Sequence, residues 1–425
     1  MTISYLYNDR VPGMIYAMAS QAPSRRGRPP KQPIEPGQIE GMNYLKSIMT
    51  LLRPLRDKEP KNANRELHYD ELIAFILLYC CTPVLSSMRG LQQVSELKII
   101  EEFGLHRFSL GSFSETTAVF DPKLLEPIIE ELAQSVQAKD GKPELSVQDL
   151  TPAAVDGSLL HALPKMAWAL WLDKDNHAAK MHLQFNILKG APIRALLTKG
   201  NGSETAALLK MLAAGMLCVL DRGYASYALL DAIIKAHSSF VVRVDNNAVY
   251  EVIEERPLSA AAGEKGIERG LVVKLGGPKT SALYDRRLRL VQVHVKGGPT
   301  RKPANRVSGK NKIIRTTTRD HTLLLVSDLL DIDVELVAEI YRSRWQIELF
   351  FRWYKTILRA NRLLCLTENG MTVVMHCAVI ASLLITLWTC RKPGRRTYEM
   401  ICLCLSGWVS KDELVAHIED LPACG

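Results

Sequence analysis

The chain has 425 residues, 47% of them apolar and 23% charged, which suits a folded protein of two or three domains and excludes a disordered chain. Its 54 Lys and Arg against 45 Asp and Glu leave a formal net charge of +9, a modest basic excess that suggests a polyanionic partner. Nine cysteines without a CxxC pair argue against a disulfide framework, and neither Cys402/Cys404 nor His177/His182 is completed into a zinc set.

Residues 1–35 are rich in Pro, Ser and Gly and read as a flexible basic arm. Its opening, MTISYLYNDRVPGM, lacks a basic start followed by an apolar run, so no secretory signal is expected and the location reads as cytoplasmic. Within the arm, SRRGRPPK sets Arg26 and Arg28 around Gly27, a short extended cationic piece that resembles the core of an AT-hook. Arginines so placed are suited to a narrow minor groove, although any solvated basic linker can contain them. From 36 to 140 the texture is helical, with HYDELIAFILLYC, SSMRGLQQVSELKIIEEFG and DPKLLEPIIEELAQSV as predicted helices. The first two flank Pro83, with Arg89 near the start of the second. That arrangement fits either a helix-turn-helix that binds DNA ends or plain helix packing.

Beyond the linker KDGKPE the pattern changes. TPAAVDGSLL and GMLCVLDRGY carry apolar runs into Asp156 and Asp221. Between them, MHLQFNILKG and APIRALLTKG predict a hairpin turning at Gly190, Ala191 and Pro192. SETAALLKMLAAG and YASYALLDAIIKAH then read as helices and SFVVRV as a strand, giving an α/β domain with a mixed sheet over 145–245. Residues 246–320 break into β-like runs with Gly and Pro turns, as expected of an insertion. Within it, Lys296 to Arg319 holds eight cations and no acid, either a solvated loop or a track for DNA backbone. The first pattern resumes over 321–395, followed by a helical tail over 396–425. In the resumed part, MTVVMHCAVIASLLITLWTC is twenty residues without a formal charge. Its length would cross a membrane, but its His, Ser and Thr content and the lack of a second such run favour a buried core helix and no membrane partner.

The stretch YRSRWQIELFFRWYK places a lone acid, Glu348, among cations and aromatics. Wound as one helix at ~100° per residue, Tyr341, Arg344, Glu348 and Lys355 fall within an arc of roughly 60°. By itself that is an amphipathic helix with an Arg344–Glu348 pair, worth ~0.2–0.5 kcal/mol. Asp156 and Asp221, however, sit at predicted strand ends where an α/β sheet can converge on one site. Three carboxylates from separate elements make a hard oxygen set of the kind that Mg²⁺ or Mn²⁺ prefers.

The spacing Tyr341-x2-Arg344-x3-Glu348-x6-Lys355 resembles the signature helix of DDE transposases of the insertion-sequence-four family. The DGS at Asp156 and the run into Asp221-Arg222-Gly223-Tyr224 are similar to that family's first two acidic motifs. The resemblance covers about 145–390. It implies an RNase H-like α/β fold, a mixed sheet with flanking helices, interrupted by a mostly β insertion and preceded by a helical N-terminal domain. It implies cut-and-paste movement of an insertion sequence through strand cleavage, a hairpin intermediate and strand transfer. Asp156, Asp221 and Glu348 would hold two Mg²⁺ or Mn²⁺ ions, while Arg344, Lys355 and Tyr341 would contact DNA. The partners it implies are double-stranded DNA, as terminal inverted repeats and target, and a second copy of the chain in a synaptic homodimer on the bacterial nucleoid. Some relatives stack a flipped base on a tryptophan of the inserted region, and residues 246–330 contain none. Of Tyr250 and Tyr284, the latter, beside Arg286, Arg287 and Arg289, is the expected substitute. The alternatives are a transposase-derived DNA-binding protein without catalysis and an RNase H-like metal-dependent nuclease.

Overall fold

The computed structural model of the protein describes residues 45–62, 64–82, 85–136, 147, 149–162, 166–169, 177–276, 284–296, 299–302, 314–317, 321–358, 364–389, 395–405 and 408–420. The basic arm with Arg28 and most of the cationic run from Lys296 to Arg319 lie outside these residues.

Six helices come first: α1 (Leu45–Leu52), α2 (Tyr69–Cys81), α3 (Met88–Ser95), α4 (Lys98–Glu101), α5 (Leu110–Val119) and α6 (Glu126–Ser135). The expected helix from Ser86 is two pieces, α3 and α4, because Leu97 takes extended backbone between them. The helix α5 was not anticipated. Its sequence, LGSFSETTAV, has little apolar periodicity, but Ser109 caps it by accepting from the Ser112 amide.

The sheet follows. Strands β1 (Thr151–His161), β2 (Ala178–Asn186) and β3 (Ala191–Lys199) form an antiparallel meander, with Gly190 supplying the left-handed backbone (φ 64°) at the hairpin. After α7 (Glu204–Met211) come β4 (Met216–Leu220), α8 (Tyr227–Lys235) and β5 (Ser239–Val244), and β4 pairs in parallel with both β1 and β5. All five residues of β4 are buried, as an uninterrupted apolar run in a central parallel strand should be.

The inserted segment contributes β6 (Tyr250–Arg256), α9 (Ala260–Glu264), β7 (Ile267–Leu275), β8 (Leu288–Val295), β9 (Pro299–Lys302) and β10 (Ile314–Thr317). It does not stand apart from the first half. Strand β11 (His321–Ser327) pairs antiparallel with β5 on one side and β8 on the other. The result is one nine-stranded sheet of order β3-β2-β1-β4-β5-β11-β8-β7-β6, with β9 and β10 paired separately. Adding strands to the β5 edge satisfies backbone groups that an isolated insertion would leave bare.

Helices α10 (Val334–Ser343), α11 (Trp345–Leu358), α12 (Glu368–Thr389), α13 (Arg395–Leu405) and α14 (Lys411–Glu419) complete the described chain. The helix α12 is apolar on all sides and long enough to span a bilayer, yet 78% of its most apolar window is buried. It packs on α2, α5, α6, α11 and β3, the behaviour of a core helix. The two sheet faces carry separate cores. Ala154, Leu217, Val219 and Val241 join α2, α6, α11 and α12 on one face, while Val155, Cys218, Leu220, Phe240 and Val242 meet Leu208, Leu229 and Ile233 on the other.

Candidate active site

The parallel register of β1 and β4 runs from Thr151↔Met216 to Val155↔Leu220. One step further, Asp156 stands opposite Asp221, the first residue beyond β4. Side chains alternate along a strand, so Asp156 projects with Ala154, and Asp221 projects with Leu217 and Val219. Both acids therefore face the layer of α10, α11 and α12. Each is fixed locally. Asp156 accepts the Gly157 amide at 2.7 Å, and Asp221 accepts the Arg222 amide at 2.7 Å as the chain turns into a short 3-10 helix, Arg222–Tyr224.

The third acid arrives from α11, which packs on β1. Tyr341 to Lys355 was expected as one helix, and the structure breaks it at Arg344. Bonds from the Arg344 amide to the Tyr341 carbonyl and from the Ile347 amide to the Arg344 carbonyl tighten the joint to a 3-10 turn. That turn is the centre of the site. Arg344 donates from Nη2 to Glu348 Oε1 at 2.7 Å, and its Nη1 lies 3.5 Å from Asp156 Oδ2. The Tyr341 hydroxyl lies 3.5 Å from Asp221 Oδ1. Asp156, Asp221, Glu348, Tyr341 and Arg344, chosen from five places in the sequence, thus converge.

The charges there are unbalanced. Burial, with Glu204 and Asp221 adding to it, pushes the Asp156 carboxyl up to about 6 despite Arg344 and the Gly157 amide. Burial opposes the Arg344 charge, but Tyr341, Asp221, Asp156 and Glu348 hold it above its ordinary value. Lys355, further along α11, is partly buried, and that burial lowers its ammonium. Among the described residues no three His, Cys, Asp or Glu already close into a coordination shell. The guanidinium of Arg344 stands between Asp156 and Glu348 instead. Two adjacent hard carboxylates, a third on a helix and too little positive charge make a donor set that fits divalent cations.

Tyr284 is elsewhere. It is 1% exposed, inside the second core, and stacked on Tyr227 with centroids 4.9 Å apart. It offers no face to a base, because its ring is buried in that core against Tyr227. The half-buried Tyr250 also packs against that core. An exposed aromatic does flank the acids: Trp345, 52% exposed, opens α11 three residues before Glu348. The signature spacing skips that position, although the quoted stretch contained it. Arg243 was also missed. Its charge reaches Tyr341, and its Nε is buried without a hydrogen-bond partner. A single arginine within the apolar run SFVVRV was the available signal.

The family described as Transposase DDE domain matches residues 148–384, a span holding all three acids. The chain belongs to the DDE transposase family. Three relatives agree with it. The protein assigned as the transposase of insertion sequence element IS4SA in Synechocystis sp. is 23% identical over 301 residues, 70% of this chain and 75% of that protein. The protein assigned as transposase y4zB in Sinorhizobium fredii is 26% identical over 254 residues, 59% of this chain and 62% of its own length. The protein assigned as the transposase of insertion sequence element IS5377 in Geobacillus stearothermophilus is 22% identical over 331 residues, 76% and 78% of the two chains. The family of this DDE transposase implies polynucleotidyl transfer.

Proposed function

We propose that this transposase moves an insertion sequence by cut-and-paste, cutting and joining DNA at Asp156, Asp221 and Glu348. The observation that carries this reading is the convergence of the three acids on Arg344 across β1, β4 and α11. The strand order β3-β2-β1-β4-β5, antiparallel then parallel, supports an RNase H-like reading of this half, with β6 to β8 as the insertion.

In this reading the three carboxylates hold two Mg²⁺ or Mn²⁺ ions, which would activate the attacking oxygen and stabilise the leaving one. Arg344 exchanges its carboxylate partners for a phosphate of the bound strand, a switch available to a bidentate donor. Tyr341 orients Asp221, and Lys355 contributes a further phosphate contact. Trp345, rather than Tyr284, offers the face on which an unstacked base could rest during hairpin formation. The basic arm around Arg28 and the run from Lys296 to Arg319 add sequence-independent affinity for double-stranded DNA, both terminal repeats and target. Two copies act together in the DNA-bound complex, in the bacterial cytoplasm on the nucleoid, and α12 serves as core rather than as an anchor.

Purified protein incubated with Mg²⁺, DNA carrying the element's ends and a target plasmid tests this. Cleavage followed by strand joining is expected. Cleavage alone would make the protein a nuclease, and binding alone would leave it a DNA-binding derivative.

A further inference from the structure

The strand that carries Asp156 has a second face, and a fourth acid reaches the catalytic pair from it. Glu204 opens α7, whose first turn is capped by Ser203 accepting from the Ala206 amide at 3.2 Å. A Cβ placed on Gly157 would lie 3.2 Å from Glu204 Oε1, and one on Gly223 would lie 3.8 Å from Glu204 Oε2. These glycines follow Asp156 by one residue and Asp221 by two. Since β1 and β4 stop pairing at Val155↔Leu220, the chains part there, and the missing side chain at Gly157 leaves room for the Glu204 carboxylate, whereas the one at Gly223 would meet it only in ordinary contact.

Two observations tie that carboxylate to the centre. Tyr224, 2% exposed, carries a hydroxyl without a hydrogen-bond partner, and the charges bearing on it are Glu204, Asp156, Asp221 and Arg344. A buried phenol left unpaired amid acids is costly in a finished protein site and is suited to a water or ion placed among them. Glu204 is also held in check: Lys180 Nζ donates to Glu204 Oε1 at 3.1 Å, with the two side chains 17% and 35% exposed. Beside Lys180, His182 is buried, and burial together with the Lys180 charge lowers it to about 4, so it adds no positive charge near neutrality.

We propose that Glu204 is a positioning residue of the catalytic centre, a fourth acid admitted by Gly157. Its charge strengthens the hold of Asp156 and Asp221 on a divalent cation, and Lys180 moderates it. The inference rests on the reading of these aspartates as cation ligands. It accounts for the glycine after Asp156 as a matter of space rather than of backbone strain.

The test is Mn²⁺ binding to the full-length, DNA-free protein, followed by electron paramagnetic resonance of the free ion, with folding checked by thermal melting. Glu204→Gln is expected to weaken Mn²⁺ binding on the order of five-fold, the effect of removing one unit charge a few ångströms beyond direct ligation. Lys180→Met is expected to tighten binding by a similar factor, and the double variant to return close to wild type. Opposite signs from two variants of one ion pair cannot come from a shared loss of structure. Asp156→Asn serves as reference. If it abolishes Mn²⁺ binding while Glu204→Gln and Lys180→Met leave it unchanged, the role of Glu204 is overturned and the aspartate reading stands. If Asp156→Asn has no effect either, both are overturned.

Discussion

Two acidic clusters in this protein are built on opposite principles. At the start of α2, Asp70 and Glu71 are both fully buried, yet each is paired. Asp70 accepts from Arg56 Nε at 2.8 Å, with Arg53 3.5 Å away, and Glu71 meets Arg56 at 3.4 Å and His106 Nδ1 at 2.5 Å. At the candidate active site Asp156 and Glu348 share Arg344, whose charge also bears on Asp221, while Lys180 pairs with the nearby Glu204. Two acids facing three basic partners are largely compensated, although Asp70 Oδ2 and Arg56 Nη2 keep no hydrogen bond. Where acids outnumber the cations facing them, positive charge from outside is favoured, and the proposed active site rests on that surplus more than on burial.

The largest expected difference follows directly. Asp70→Ala should take from Arg56 its closest carboxylate, leaving it Glu71, and destabilise the fold by about 3 kcal/mol, read as a lowered melting temperature. Asp156→Asn and Glu348→Gln should instead leave melting unchanged or raise it in metal-free buffer, while strand cleavage falls by about 10³-fold or more. Equal destabilisation by both sets would erase the distinction between the clusters.

The same contrast has a pH signature. In the folded protein the Asp156 carboxyl titrates near 6, whereas an unfolded aspartate titrates near about 4. The folded state therefore takes up a proton between these values, and its charged form is the costly one. Without metal, the contribution of Asp156 to stability should be complete below about pH 4 and fall on the order of 2 kcal/mol as pH rises through about 6. Asp156→Asn should remove that fall. Urea titrations at several pH values would show it, and a wild-type curve with no such slope would deny that the acids outnumber their partners.

Much of this was legible in the sequence, and the reasons differ by region. The pairing of Arg344 with Glu348 was readable because a helix spacing is a local pattern, although the structure breaks that helix at Arg344. Asp221 does follow a strand end, but Asp156 lies in the middle of β1 rather than at the strand end expected, and the adjacency of β1 and β4 comes from long-range pairing. The hairpin at Gly190 and the core character of α12 were readable as local patterns too. What depends on long-range packing was not. Tyr284 beside a run of arginines looks exposed, and only the packed fold shows it turned inward against Tyr227. The chain from 246 to 320 reads as an insertion, and nothing local says that β8 will join β11 and extend the main sheet. Glu204 is an ordinary first-turn acid until the fold sets it behind Gly157.

Smaller effects sharpen the comparison. Trp345→Ala removes an exposed ring beside the acids, so stability should change by no more than about 0.5 kcal/mol. First-strand nicking should persist, with hairpin formation about ten-fold slower, as expected for loss of one base stack. End-labelled DNA on denaturing gels separates the two steps, and equal loss of both would remove Trp345 from that role. Smallest of all, neutralising Lys302, Arg306, Lys310 and Lys312 together should leave cleavage chemistry intact. The dependence of DNA affinity on salt should become shallower by about 2 or more in the log–log slope. An unchanged slope would return that run to a solvated loop.

The most direct measurement is anomalous diffraction from crystals of the protein soaked in Mn²⁺. If surplus acid marks the site, ordered Mn²⁺ should lie between the carboxylates of Asp156 and Asp221, with Arg344 drawn off Asp156, and none should lie at Asp70 and Glu71. Crystals without Mn²⁺ at the Asp156–Asp221 pair, or with it bound at the compensated cluster instead, would contradict the account.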